Sequence, residues 1–191
     1  GMVKAEDMPR FVGHIRQEAQ RLVTLIGDII RLSQLDEGCD MPMERVDLAA
    51  VAAEVANDLR TEAEEKRVSV SVQGDSVYLT GVRRLLYEII YNLCDNAVKY
   101  NRDGGSVSIT AGEKDGLATV TVADTGIGIP EEHQARVFER FYRVDKSHSK
   151  ESGGTGLGLS IVKHAVMYHH GSIRLESVPN GGTKVTVSLP A

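Results

Sequence analysis

The chain has 191 residues, 41% of them hydrophobic and 26% charged, the profile of an ordinary globular protein able to bury a core without structural metal. Its two cysteines, Cys39 and Cys94, stand far apart in no metal-ligand spacing, which argues against a disulfide scaffold or zinc module and favours a reducing, cytosolic compartment. The net charge of −5 and the lack of a basic block argue against nucleic acid as a partner, and no apolar run reaches the roughly 20 residues that span a bilayer.

The N-terminus shows no signal peptide. Gly1-Met2 reads as a tag-cleavage scar, with residues 1–8 a disordered start. From about Pro9 to Leu35 the pattern is one long helix. Ile15, Ala19, Leu22, Ile26 and Ile29 recur four and three apart, the seam of a coiled-coil-like helix that needs a partner. Leu25, Ile30, Leu32 and Leu35 widen the stripe and suggest burial on more than one side. Gly38 stops this helical unit (9–38), and residues 39–46 read as a linker.

Beyond the linker, residues 47–191 form a mixed α/β unit. Asp47 is the expected N-cap of a helix running to about Lys66. Val68–Val72 alternates as a strand, and Ser76–Thr80 is expected to pair with it across the Gly74-Asp75 turn. A helix over about Val82–Lys99 follows, then strands Val107–Ala111 and Ala118–Ala123 around Lys114-Asp115-Gly116. Pro130 opens a short helix to about Glu139, and a further helix covers about Leu157–His170. Ile173–Ser177 and Thr183–Leu189 close the chain as a hairpin.

Four stretches carry chemistry. On the helix through residues 85–100, Glu88, Asn92, Asn96 and Lys99 fall within an arc of roughly 80°. Leu86, Ile90, Leu93 and Ala97 lie opposite and are expected in the core. Asparagine is a mediocre helix former, so two of them one turn apart need a reason. Their amide oxygens suit a hard cation such as Mg²⁺, although a solvated helix face explains the stripe equally simply. In the second stretch a strand ends at Asp124 and runs into Gly126 and Gly128; an Asp there can accept from an exocyclic amine, or merely make a turn. The third is Val137–Arg143, whose aromatics could anchor a loop and whose Arg140 and Arg143, with Lys146, could reach phosphates; core packing beside a solvated basic turn is the plainer account. The fourth, Gly153–Ser160, places free N–H groups ahead of a helix, an anion site unless it is simply a linker. No Gly-Lys-Ser/Thr follows, so it is not a Walker loop.

In this order the four stretches resemble the N, G1, F and G2 boxes of sensor histidine kinases, and Gly181-Gly182-Thr183 matches a further motif of that family. The helix Glu18–Asp36 resembles the second helix of the dimerisation and histidine-phosphotransfer hairpin. The resemblance covers about residues 45–191 as a GHKL (Bergerat) catalytic domain. It implies an α+β fold, a two-layer sandwich of a mixed, mainly antiparallel sheet on about three helices, preceded by the coiled-coil-like helix. It implies ATP as ligand, with Asn92 and Asn96 holding Mg²⁺ and Glu88 assisting phosphotransfer as a base. Lys99 and Tyr100 match phosphate- and nucleoside-side contacts; Asp124 matches the receiver of the adenine amino group, supported by Gly126, Gly128 and Thr183. Residues from Ile129 to Gly154 would be a lid that orders with nucleotide, contributing Tyr142, Arg143 and Lys146. Gly154, Thr155, Gly156, Leu157, Gly158 and Leu159 would close it.

One feature of the family is missing. No His-Glu box leading to a Thr-Pro or Asn-Pro pair is present: His14 is followed by Ile15 and reads as an ordinary exposed helix residue. His133, His148, His164, His169 and His170 lie in the catalytic unit and make equally poor acceptors. The implied partners are therefore ATP or ADP, a phosphoacceptor helix outside this sequence, a response regulator, and a second copy bound through the N-terminal helix. The implied location is the cytoplasmic portion of a membrane-anchored sensor. Two other readings stay open: a gyrase-type ATPase or anti-sigma serine kinase, disfavoured by the Phe-rich segment and the N-terminal helix, and a non-catalytic ATP-binding or dimerisation module, disfavoured by the full Glu88/Asn92/Asn96 set.

Overall fold

A computed structural model describes residues 7–37, 41–144 and 154–191. Helix α1 runs Met8–Asp36, with Pro9 in its first turn where the missing N–H costs nothing. Strand β1 (Glu44–Asp47) ends in Asp47, whose Oδ1 accepts from the N–H of Ala49 at 3.0 Å and caps helix α2 (Leu48–Asp58) as its sequence predicts. The expected single helix to Lys66 is interrupted: Leu59 closes α2 and opens the short α3 (Arg60–Glu65). Strands β2 (Ser69–Gly74) and β3 (Tyr78–Gly81) lead to helix α4 (Arg83–Lys99).

Strands β4 (Ser106–Lys114) and β5 (Leu117–Asp124) form a hairpin turned by Asp115 and Gly116, at φ 54° and 76°. The helix expected from Pro130 to Glu139 is limited to α5 (Glu131–Gln134) and gives way to turns. Helix α6 (Gly158–Tyr168) and the hairpin of β6 (Ser172–Val178) and β7 (Gly182–Pro190) complete the chain.

The main sheet has five strands in the order β2-β4-β5-β7-β6, with β2 parallel to β4 and every other pair antiparallel. Helices α2, α4 and α6 share one core with it. Val107, Ile109, Ala118, Val120, Val187 and Leu189 alternate inward, meeting Leu86, Ile90, Leu93 and Ala97 of α4. The two-layer α+β expectation is met.

Two pairings differ from the sequence reading. Strand β3 pairs not with β2 but with β1, part of the expected linker, in a separate two-stranded sheet. The register sets buried Val46 opposite buried Leu79, whereas β2 is an edge strand with mostly exposed positions and could not cover Leu79. At the far end of α6, buried His169 ties two helices together: its Nδ1–H donates to the Ala165 carbonyl at 2.7 Å, and its Nε2 accepts from the N–H of Val82, the cap residue of α4, at 3.0 Å.

Helix α1 lies against α6. Leu32, 3% exposed, packs on Leu157 and Ile161, with Leu25 at the margin. The Asp36 carboxylate receives Arg140 at 2.7 and 2.8 Å, and Arg140 also meets His164. The seam residues Ile15, Leu22, Ile26 and Ile29 remain exposed, as does His14.

Candidate functional site

Helix α4, β5, the loop after it and the start of α6 surround one cavity of about 870 Å³, within the size range of small-molecule sites. Its floor is a cross-strand row: Leu175 of β6 opposite Val185 of β7, which is opposite Val122 of β5. This apolar floor suits a flat ring.

Asp124, at the strand end, stands beside that floor. Its Oδ1 accepts from the N–H of Gly126 at 2.8 Å and of Thr183 at 3.2 Å. Oδ2 has no partner among the described residues and is left for a donor from outside. Burial raises the carboxyl above its ordinary pKa, and the two N–H donors pull the other way. Gly126 does not line the cavity; it holds Asp124. Gly128 does line it, at φ +67°, where an added β-carbon would lie 2.0 Å from the Val178 carbonyl oxygen, so no side chain fits. The loop is pinned to the last hairpin: Ile129 N–H donates to Ser177 Oγ at 2.8 Å, and Gln134 bridges the carbonyls of Ile129 and Ser177 at 2.9 Å each.

Asn92, Asn96 and Lys99 line the other end. The Asn92 Nδ2 group donates to the Glu88 carbonyl at 2.8 Å, which turns its Oδ1 toward Gly158. A β-carbon on Gly158 would come within 2.7 Å of that oxygen, so the glycine lets the loop close over the amide. The Asn96 side chain has no partner among the described residues. Lys99 is not a free cation: it pairs with Asp95 at 2.7 Å, one turn back. Tyr100 is half exposed at the rim, and its carbonyl takes the Ile127 N–H.

Glu88 departs most from the picture of a polar stripe. It lines the cavity but is only 6% exposed, and its Oε1 meets both Arg84 and Arg31 at 3.2 Å while Oε2 is buried without a partner. Of the lid residues, Tyr142 lines the cavity with its hydroxyl on His133 Nδ1 at 2.7 Å, and Arg143 reaches the Gly154 carbonyl at 2.6 Å. Arg140 is turned away, engaged by Asp36. Gly154, Thr155, Gly156, Gly158, Leu159, Ile129 and Thr183 all line the cavity. Leu157 does not: it is fully buried against Leu32 and Ile161. Lys146, His148 and Cys39 lie outside the described residues.

The sequence reading missed the contribution of α1. Thr24, Asp28 and Arg31 line the cavity, and Asp28 Oδ2 accepts from the Thr155 hydroxyl at 2.9 Å. Burial raises the Asp28 carboxyl above its ordinary pKa; the Thr155 hydroxyl and the charges of Arg31 and Lys99 oppose this. The available signal was three polar residues four and three apart on the face of the helix opposite the seam.

The sequence profile of the histidine kinase-, DNA gyrase B- and HSP90-like ATPases matches residues 81–191, the segment that supplies most of the cavity's lining. The chain belongs to that ATPase family. Sensor-like histidine kinase SenX3 of Mycolicibacterium smegmatis is 40% identical over 183 residues, 95% of this chain and 48% of that protein. Signal transduction histidine-protein kinase BaeS of Escherichia coli is 34% identical, covering 95% of this chain and 39% of its own. This chain thus spans about half the length of such relatives, or less. Among solved structures, the mycobacterial sensor histidine kinase MprB superposes with a TM-score of 0.69 at 30% identity, over 78% of this chain and 97% of that one. Full-length ShkA in complex with AMPPNP gives 0.84 at 26% identity, over 100% of this chain and 40% of that one. As an ATPase-family domain, the chain is an ATP-binding unit.

Proposed function

We propose that the chain is the catalytic part of a two-component sensor histidine kinase, which transfers the γ-phosphoryl group of ATP to a histidine on a helix outside this sequence, for relay to a response-regulator aspartate. The observation that carries this reading is a single cavity with a half-buried carboxylate, Asp124, at one end and the Asn92/Asn96 row with an unpartnered Glu88 oxygen at the other. Asp124 Oδ2 would accept the adenine amino group over the Leu175/Val185/Val122 floor. The N–H groups around Gly156 and Gly158 would take phosphate oxygens. That the similar ShkA was solved in complex with AMPPNP, an analogue of ATP, supports a nucleotide as the occupant.

Asn92 and Asn96 would hold Mg²⁺. The fit lies in their oxygens: Asn92 is tied by its amide nitrogen and so presents Oδ1, and Asn96 is unengaged. No group of three His, Cys, Asp or Glu among the described residues could enclose a metal, which suits an ion that keeps water and phosphate oxygens in its shell. Bound there, the ion would offset charge on the β- and γ-phosphates. As the nitrogen–phosphorus bond forms and the bond to ADP breaks, Glu88 Oε2 would take the imidazole proton. In the whole protein we place this chain on the cytoplasmic side of a membrane-anchored sensor; among the described residues no helix is long and apolar enough to cross a membrane.

Radiolabelled ATP tests the reading. Incubated alone, the chain gains no acid-labile, base-stable label; a separate polypeptide bearing the phosphoacceptor histidine is labelled in trans, slowly, because no tether raises its effective concentration. Label on this chain that His14→Ala abolishes would overturn the reading.

A further inference from the structure

Glu88 is held from two elements. Arg84 lies one turn earlier on α4, with its side chain 67% exposed, and donates to Oε1 at 3.2 Å. Arg31 reaches the same oxygen at 3.2 Å from α1. Arg31 is fixed on both sides: Leu32 is sunk against Leu157 and Ile161, and Asp28 holds the Thr155 hydroxyl. Two guanidiniums on one oxygen hold the carboxyl torsion. The other oxygen, Oε2, is left buried with no partner. An unpaired buried acceptor costs free energy and marks a position kept for something beyond the fold.

We propose that Arg31 is a positioning residue: by pairing with Glu88 across the α1–α4 boundary it aims Oε2 at the reacting group, so that the chemical step requires α1 to be docked. The inference rests on the reading of Glu88 as proton acceptor. Arg84 belongs to the same helix as Glu88 and stays beside it wherever α1 goes; the Arg31 pair forms only with α1 in place. Losing it leaves the carboxyl held by Arg84 alone, a side chain exposed enough to move with it. The Asp124 end of the cavity, built from β5, β6 and β7, contains no part of α1. Arg31 lines only the opposite end, so its effect on turnover exceeds any effect on nucleotide binding.

The test is a double-mutant cycle in the full chain, with labelled ATP and a separate polypeptide carrying the phosphoacceptor histidine. Arg31→Ala lowers kcat by about tenfold or more, a clearly larger factor than any it takes from the calorimetric affinity for ATP. Arg31→Lys, which keeps a cation, recovers part of the loss. In a Glu88→Gln background, which retains measurable turnover from binding and positioning, Arg31→Ala adds less than about twofold. Additive effects in that background, or a loss of ATP affinity matching the loss of kcat, overturn the inference. If Glu88→Gln alone leaves kcat unchanged, the proton-acceptor role falls and the inference with it. Nucleotide binding by Asp124 and Asn92 variants still tests the site independently.

Discussion

Asp124 divides its two oxygens between the fold and the ligand. The N–H groups of Gly126 and Thr183 occupy Oδ1, which leaves Oδ2 as an acceptor without a donor. Adenine supplies that donor; guanine places a carbonyl there, acceptor against acceptor. A mismatch of this kind costs about 1–3 kcal/mol, so ATP and ADP bind at least about tenfold tighter than GTP in a calorimetric competition. Asp124→Asn keeps an acceptor for the two N–H groups and turns Oδ2 into a donor, which shifts the preference toward GTP; an unchanged ratio would remove Asp124 from base recognition. Asn92 is the corresponding test at the phosphate end. Asn92→Ala weakens Mg-ATP more than metal-free ATP, because the lost oxygen serves the cation. Equal weakening of both would make Asn92 a purely structural residue, holding the Glu88 carbonyl and the approach to Gly158.

Between elements, the joints that matter are specific side chains. His169 links the end of α6 to the cap of α4, and the link works only for a neutral ring, with Nδ1 donating and Nε2 accepting. Burial depresses its pKa below the ordinary histidine value; the Ala165 hydrogen bond resists this, and His170 adds to it. A depressed folded pKa means that the stabilisation is complete above the unfolded value of about 6.5 and is lost as the pH falls through the folded one. His169→Gln is therefore less stable than the parent at pH 7 in urea unfolding, and the gap narrows as the pH is lowered. A gap that stays constant with pH would mean that the ring titrates alike in both states. Gly81 explains why the ring fits: a β-carbon there would sit 3.0 Å from it.

At the scale of the molecule, α1 serves two surfaces. One side carries Leu32, Asp28, Arg31 and Asp36 into the catalytic domain. The other leaves Ile15, Leu22, Ile26 and Ile29 between 47% and 64% exposed, a continuous seam that the domain does not cover. Each such side chain gains about 1.5–3 kcal/mol on full burial, so covering the seam is favoured, and we propose a second copy as what covers it. The chain is expected to form dimers that dissociate on dilution in sedimentation experiments. Ile26→Lys yields monomers with unchanged ATP affinity, since Ile26 faces away from the cavity. Monomers of the parent chain at high concentration would show that the seam awaits a different partner.

The sequence by itself determined the secondary elements whose signals are local: the Asp47 cap, the amphipathic period of α4 and the Asp115-Gly116 turn; the two glycine loops were joined into one site only by the family resemblance. The two-layer arrangement was implied by the resemblance to the GHKL domain, and it holds because alternation in β4, β5 and β7 leaves one apolar face for the helices to cover. Pairing that depends on distant burial was beyond its reach. Which strand covers Leu79 was decided by Val46, more than thirty residues away, and no local signal marked the break of α2 at Leu59. The fine chemistry of the site was likewise tertiary. Lys99 reads as a phosphate ligand until Asp95 is seen beside it, Leu157 reads as part of an anion loop until Leu32 buries it, and Glu88 reads as one of four stripe residues. Its distinction, two arginines on one oxygen and none on the other, arises only when α1 folds back and Arg31 meets α4, and no periodicity within either helix records that meeting.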